Sequence, residues 1–348
     1  MLGVRFLYSP LAMDSLTQIV LGASITAASV PAGQRRTALL LGATLGTLPD
    51  LDVFIDFGGA VENYTYHRGF SHSLFVLVPF AILLWLVLKR FWAPVRDASR
   101  PWFWAILLTL VTHPLLDSHN AYGTQLFWPV ESPPVSWSTL FIIDPLFTLP
   151  LLIGTLFAAI RPASRHSGTL LATGLALSSL YLGWTWVGKG LAENTALESL
   201  AAAGLPTQPV FSTPTPFNSL LWRVVVVTEQ GHVEGLYSLV ADEAPMHFVA
   251  HDSNRTALEA ASGIWAVDRL VWFSNGFMKP VIEGDTLVLA DLRMGQAPVF
   301  VFRHEVARYD GANWLPIETR LQPAKLEKGF LGAIWQRIWT QPGKPATN

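Results

Sequence analysis

Apolar runs at about 16–30, 37–49, 71–88, 102–119, 139–160 and 168–188 alternate with short polar stretches, and from about residue 190 the pattern changes. The third run holds fifteen successive apolar residues over 74–88. The first two fall short of the roughly 20 residues that cross a bilayer as a helix. They read either as tilted spans extended by their flanks or as a re-entrant hairpin. The pattern predicts a mainly α protein: a polytopic helical membrane domain over 13–190 and a small α+β extramembrane domain over 205–325. In the second region Pro206, Pro209, Pro214 and Pro216 punctuate a linker. Runs 221–228 and 232–240 flank Glu229-Gln230-Gly231 as a hairpin, 286–292 and 299–306 read as strands, and 255–273 as helix. Residues 326–348 form an amphipathic tail, basic and aromatic over 325–340.

Composition sharpens the membrane reading. Of the 348 residues 51% are hydrophobic and 14% charged, against about 25% charged in soluble domains. Fourteen Trp and twenty Phe suit a chain with two membrane interfaces to anchor. A net charge of −2 gives no basis for nucleic-acid binding. The absence of Cys excludes disulfides and thiolate metal sites. Residues 1–12 lack the apolar run and cleavage site of a signal peptide.

Basic residues set an expected topology. The loops near 31–36, 89–101 and 161–167 hold eight Lys or Arg, whereas 50–70 and 117–138 hold only Arg68. Cytoplasmic loops are enriched in Lys and Arg, so the three basic loops are expected inside and the outer ends of the helices outside. Four His/Asp clusters then share the extracytoplasmic side: Pro49-Asp50-Leu51-Asp52, His67-Arg68-Gly69-Phe70-Ser71-His72-Ser73, His113-Pro114-Leu115-Leu116-Asp117 and Ile143-Asp144-Pro145.

Carboxylate and imidazole are the ligands that remain for a divalent metal when thiolate is absent. His113 and Asp117, spaced i, i+4, share a helix face; they suit a cation or, equally, a hydrogen bond between packed helices. Ser71 reads as the N-cap of the helix over 71–88, which would put His72 in its first turn. Arg68 suits a phosphate clamp. Asp50, directly after Pro49, is a ligand candidate, with Asp52 next and Asp56 read as part of a solvated turn. A lone carboxylate such as Asp144 in an apolar run needs a partner or a metal. Asp14 reads equally as an N-cap. His119 is a candidate supporting residue. No HExxH, GxSxG or Walker loop is present.

These segments resemble the YdjM-like family of bacterial inner-membrane proteins, described as candidate metal-dependent hydrolases. The resemblance is carried by Met13-Asp14-Ser15-Leu16-Thr17-Gln18, Leu48-Pro49-Asp50-Leu51-Asp52, Tyr66-His67-Arg68-Gly69-Phe70-Ser71-His72-Ser73 and Thr112-His113-Pro114-Leu115-Leu116-Asp117. Tyr122-Gly123-Thr124-Gln125 and Ile143-Asp144-Pro145 extend it over about 13–160. Some members carry His where this chain has Gln18. Because the resemblance begins at Met13, both Met1 and Met13 are candidate starts. The family is in turn similar to zinc-dependent phospholipase C and P1-type nucleases, which implies phosphoester chemistry.

The combined expectation is a multi-pass inner-membrane hydrolase with one to three divalent ions, Zn2+ first among them. Its substrate would be a phosphoester in a membrane lipid or lipid-linked molecule. Asp50, His67, His72, His113, Asp117 and Asp144 are the expected metal ligands, and Arg68, Asp52 and Tyr122 the expected catalytic residues, with Gln125 a further candidate for orienting substrate. The rivals are a non-enzymatic protein that binds or moves a metal, and a scaffold with a relict polar site.

Overall fold

A computed structural model describes residues 15–243, 245–324 and 329–342. The described residues form two compact units: those up to 55, 68–136 and 142–184 in the first, and 56–67, 137–141 and those from 185 onward in the second. Asp14 lies outside the described residues.

The first unit opens with α1 (Ser15–Ser29) and α2 (Arg35–Thr47). They run antiparallel with their backbones in contact, because glycines line the seam. A Cβ on Gly22 would sit 2.4 Å from the Gly42 carbonyl oxygen, and one on Gly46 would sit 2.3 Å from that of Gln18. Thr26 reinforces the seam by donating to the Ala38 carbonyl at 2.7 Å. Small residues allow the close packing that helices use where hydrophobic contrast is weak.

A 3-10 turn, Pro49–Phe54, ends this hairpin. The chain then visits the second unit as α3 (Ala60–Tyr66) and returns through a 3-10 turn at Phe70–His72. Next come α4 (Leu74–Phe91), the short α5 (Ala93–Asp97) and α6 (Ser99–Asp117). Ser73 caps α4, its hydroxyl accepting from the Phe75 N–H at 3.2 Å. This corrects the sequence expectation that Ser71 is the cap and that His72 starts the helix. Ser71 is used elsewhere, as shown below. After a loop come α7 (Pro145–Ile160) and the 38-residue α8 (Arg165–Ala202), which passes into the second unit at Thr185. Ala23, Ala27, Ala38, Ala105 and Ala158 surround the fully buried Trp102, whose indole N–H donates to Gln34 at 2.6 Å.

Among the described residues two helices, α4 and α8, are long and apolar enough to cross a membrane. The six apolar runs of the sequence therefore do not become six spanning helices of that length. The helices α1 and α7 are apolar but have only 15 and 16 residues, and α2 has 13.

The second unit is a β structure with α8 as one wall. In it β1 (Val210–Pro214), β2 (Leu221–Val227), β3 (Gly231–Ser238) and β4 (Phe248–Asp252) form one antiparallel sheet in that order. The hairpin expected around Glu229-Gln230-Gly231 is β2–β3, with Val227 opposite His232. The helix expected over 255–273 forms as two, α9 (Arg255–Ala260) and α10 (Trp265–Phe273). A second antiparallel sheet follows from β5 (Met278–Glu283), β6 (Thr286–Asp291), β9 (Arg303–Tyr309) and β10 (Trp314–Gln322), in the order β10-β9-β6-β5. Two-residue strands β7 (Gly295–Gln296) and β8 (Val299–Phe300) lie between β6 and β9, so the run 299–306 is split. The last helix, α11 (Phe330–Trp339), buries Ile334 and Ile338 against Leu221. From α8, Ala196 packs on Val224 and Met246, and Leu200 on Val226 and Val233. Residues one helical turn apart thus meet alternate residues of one strand face.

Candidate metal centre

Three backbone elements of the first unit converge on four side chains. The turn after α2 supplies Asp50, the turn before α4 supplies His72, and the last turn of α6 supplies His113 and Asp117. One ligand atom from each lies within 4.8 Å of every other, with the last three residues buried. The Nε2 atoms of His72 and His113 are 3.1 Å apart. Asp50 Oδ1 is 3.3 Å from the first and 3.4 Å from the second. Asp117 Oδ2 is 3.1 Å from His72 Nε2 and 3.5 Å from His113 Nε2. A tetrahedral divalent ion with bonds of 2.0–2.1 Å holds its ligands about 3.3 Å apart. Five of the six edges of this cluster match that spacing.

Hydrogen bonds on the far side of each imidazole fix its tautomer. His113 Nδ1 is 2.8 Å from the Gly46 carbonyl, an acceptor, so Nδ1 carries the hydrogen and Nε2 is left with its lone pair. His72 Nδ1 is 2.9 Å from Ser71 Oγ, which itself donates to Asp52 Oδ2 at 2.6 Å. That chain again assigns the hydrogen to Nδ1. Two nitrogen lone pairs and two carboxylate oxygens therefore face one point, an arrangement that repels itself unless a proton or a metal cation lies between them. Asp117 Oδ2 is buried and has only the two imidazole Nε2 atoms beside it, at 3.1 and 3.5 Å. Burial opposes a charge on His72. Hydrogen bonding and charge from Asp117 and Asp50 outweigh this and push it up to about 9. Burial likewise raises the Asp50 pKa, but His113 and His72 reverse that and hold it below the ordinary carboxylate range. The donor set fits a divalent metal.

A supporting layer holds these four groups. Gln18 donates through Nε2 to Asp117 Oδ1 at 2.9 Å and to the His113 carbonyl at 3.2 Å. Asp52 accepts from Ser71 and from the Arg68 backbone N–H at 3.0 Å. It therefore sits on the Nδ1 side of His72, away from the ligand atoms. Buried Arg68 reaches Asp117 Oδ1 with Nη2 at 3.5 Å and lies over the Tyr122 ring at 5.4 Å. Its φ of +58° is a left-handed conformation that side chains other than glycine seldom take. The Gln125 N–H donates to its carbonyl at 3.0 Å. Strain of this kind persists only where the surroundings enforce it.

The remaining sequence candidates lie elsewhere. His67 belongs to the second unit and is not one of the four clustered residues. Asp144 is the N-cap of α7, accepting from the N–H groups of Leu146 at 2.9 Å and Phe147 at 3.4 Å and from the Tyr181 hydroxyl at 2.7 Å. The partner it needs is thus a helix end and a phenol. His119 turns Nδ1 back to the Leu115 carbonyl at 2.8 Å. Asp56 sits in an exposed turn with Gly58 and Asn63. Gly46 and the relay role of Ser71 were invisible in the sequence, since a backbone carbonyl carries no residue signature.

Residues 13–192 match the family described as YdjM inner membrane protein, which is just over half of the chain. The chain belongs to the YdjM inner membrane protein family. All four clustered residues and Gln18 fall inside the matched region. Similar relatives include "Uncharacterized protein YfhP" of Bacillus subtilis (strain 168), 28% identical over 140 residues, covering 38% of this chain and 42% of that protein. "Inner membrane protein YbcI" of Escherichia coli (strain K12) is 37% identical over 91 residues, 26% of this chain and 51% of the relative. The chain thus spans about half the length of these curated relatives. No solved structure matches it.

Proposed function

We propose that this protein is a membrane-bound, divalent-metal-dependent hydrolase of a phosphoester, carried on a lipid or lipid-linked substrate. The single observation that carries this reading is the convergence of Asp50, His72, His113 and Asp117 on one point with tautomers fixed toward it. A divalent cation there would supply Lewis acidity, making water more acidic and polarising a phosphoryl oxygen. Zinc suits a set of two imidazoles and two carboxylates.

The protein's own groups divide the remaining work. Arg68 places a permanent positive charge beside the centre, and its planar fork suits the oxygens of a phosphoester. Tyr122 stacks against that guanidinium and limits its swing. Asp52, acting through Ser71, holds His72 in its orientation. Asp50, about one-fifth exposed, is the most accessible of the four.

The test uses purified full-length protein in detergent with aryl phosphodiesters and phosphatidyl lipids. Activity should disappear with chelator and return with metal. Arg68→Ala should lower kcat/KM at least tenfold while metal content stays near that of the wild type, since losing a contact to a buried charged group costs about 2–5 kcal/mol. Metal-loaded protein without hydrolysis on such a panel would refute the enzyme. Metal flux in proteoliposomes would then favour a transporter.

A further inference from the structure

We infer that the exposed face of α11 is an interfacial anchor, seated among the lipid headgroups of the same bilayer the chain crosses. The helix has two sides of opposite character. Ile334 and Ile338 are buried against the β2–β3 hairpin, whereas Leu331, Trp335 and Trp339 are 45%, 64% and 54% exposed. These three are spaced i, i+4, i+8 and lie along one face. The two indoles meet edge to face with centroids 5.8 Å apart. The helix contains no acidic residue, and its one basic residue, Arg337, is already held by Asp242. A short helix with two tryptophans and a leucine facing outward suits the headgroup zone, where an indole buries its ring and keeps its N–H wet.

What covers that face follows from the level at which the helix sits. α8 is about 57 Å long at 1.5 Å per residue, nearly twice the roughly 30 Å of bilayer hydrocarbon, so it must leave the membrane partway. No charged residue occurs between His166 and Lys189, and Trp186 and Val187, both exposed, stand just before Lys189. The hydrocarbon boundary on α8 therefore falls near Gly188. At that glycine, within the second unit, the helix packs closely on the ends of the β2–β3 hairpin. A Cβ there would meet Trp222 at 3.2 Å and Leu239 at 3.3 Å. Their chain neighbours hold α11: Leu221 packs on Ile334 and Ile338, and the Ser238 hydroxyl donates to the Ile338 carbonyl at 2.6 Å. The hairpin ends thus have Gly188 on one side and α11 on the other. Val240, in the turn that directly follows Leu239, is 53% exposed. This placement assigns the exposed side chains of Trp186, Val187, Val240, Trp335 and Trp339 to the headgroup zone, where the chain passes from hydrocarbon to water.

The chain has no Cys, so a single introduced cysteine can carry a spin label at a unique site. Trp335→Cys, Trp339→Cys and Leu331→Cys, each in full-length protein in lipid nanodiscs, are compared with Asn313→Cys on the exposed β9–β10 turn. The ratio of oxygen to nickel-chelate accessibility should be at least threefold higher at 335 and 339 than at 313. Because all the labelled positions are exposed, folding should survive, and an unchanged thermal midpoint checks it. Ratios at 335 and 339 equal to that at 313 mean an aqueous face and overturn the anchor. Labels inaccessible to both reagents mean a protein partner and overturn it equally.

Discussion

Both units bury histidines, yet they treat them in opposite ways. In the first unit His72 and His113 sit among Asp50 and Asp117, each with its outer nitrogen hydrogen-bonded and its inner nitrogen turned to a common point. In the second, His232 and His304 are also buried, with both ring nitrogens of each buried and lacking a hydrogen-bond partner. His72 is pushed up to about 9, whereas His232 falls to about 3 and His304 to about 4. The contrast teaches that burial alone does not make a histidine a ligand. Carboxylates at ligand spacing, together with a support that chooses the tautomer, turn a buried imidazole into half of a site.

The most direct way to break this contrast is to exchange the roles of the two sets. Alanine at His72, His113 or Asp117 should weaken zinc or manganese binding at least a hundredfold, because each removes one of four donors. Alanine at His232 or His304 should leave the bound metal at the wild-type level. Metal analysis of the purified variants decides the matter. Equal metal content across all five would mean that the converging lone pairs serve packing alone.

A smaller effect sharpens the contrast within the first unit. Gln18 touches no ligand atom of the centre, but it holds the outer oxygen of Asp117 and the carbonyl of His113. Loss of such an outer partner typically costs 10–100-fold in metal affinity. Gln18→Ala should lower affinity about tenfold, measured by competition with a chromophoric chelator. An unchanged affinity would show that α6 holds Asp117 without help from α1.

How much of this could be read from the chain follows the same physics. The i, i+4 spacing of His113 and Asp117 was legible because a helix maps that interval onto one face. Asp50 and His72 were legible as donors near apolar segment ends, and their meeting is consistent with that reading. Asp144 carried the same signal, a carboxylate against an apolar run, yet the N-terminal amides of α7 and a phenol answer its need. Sequence cannot tell a cap from a ligand when both want a carboxylate before a proline. The β2–β3 hairpin was legible through its turn; Gly284-Asp285 before β6 and Asp310-Gly311 before β10 are turn signals of the same kind that mark the β5–β6 and β9–β10 hairpins, whereas β1 and β4 have none. The glycine seam of α1 and α2 explains why short apolar runs packed as a tight pair. Periodicity reports which residues avoid water and is silent on which backbones touch.

The smallest expected effect comes from the second unit and runs on acid. Burial lowers the pKa of His232, reinforced by the charges of Lys279, His251 and Arg223. Burial also lowers that of His304, with Asp291 opposing. Both histidines are therefore neutral in the folded protein at pH 7, and their ordinary value when unfolded is 6.5. Below that value the unfolded chain takes up protons the folded chain refuses, so stability rises with pH across the interval. Going downward, it is lost from about pH 6.5 to about pH 4, where His304 begins to protonate in place, while His232 extends the loss toward pH 3. At neutral pH and above, these groups contribute no slope. By pH 5.5 each should cost on the order of 1 kcal/mol. Thermal unfolding of full-length protein at pH 7.5 and 5.5, followed by protease sensitivity in the β sheets, measures it. His304→Leu should flatten the acid limb, because leucine fills a similar space and takes no proton. A wild-type midpoint that stays level between these two pH values would show that His232 and His304 find a proton acceptor in solution, and the contrast between the two regions would be lost.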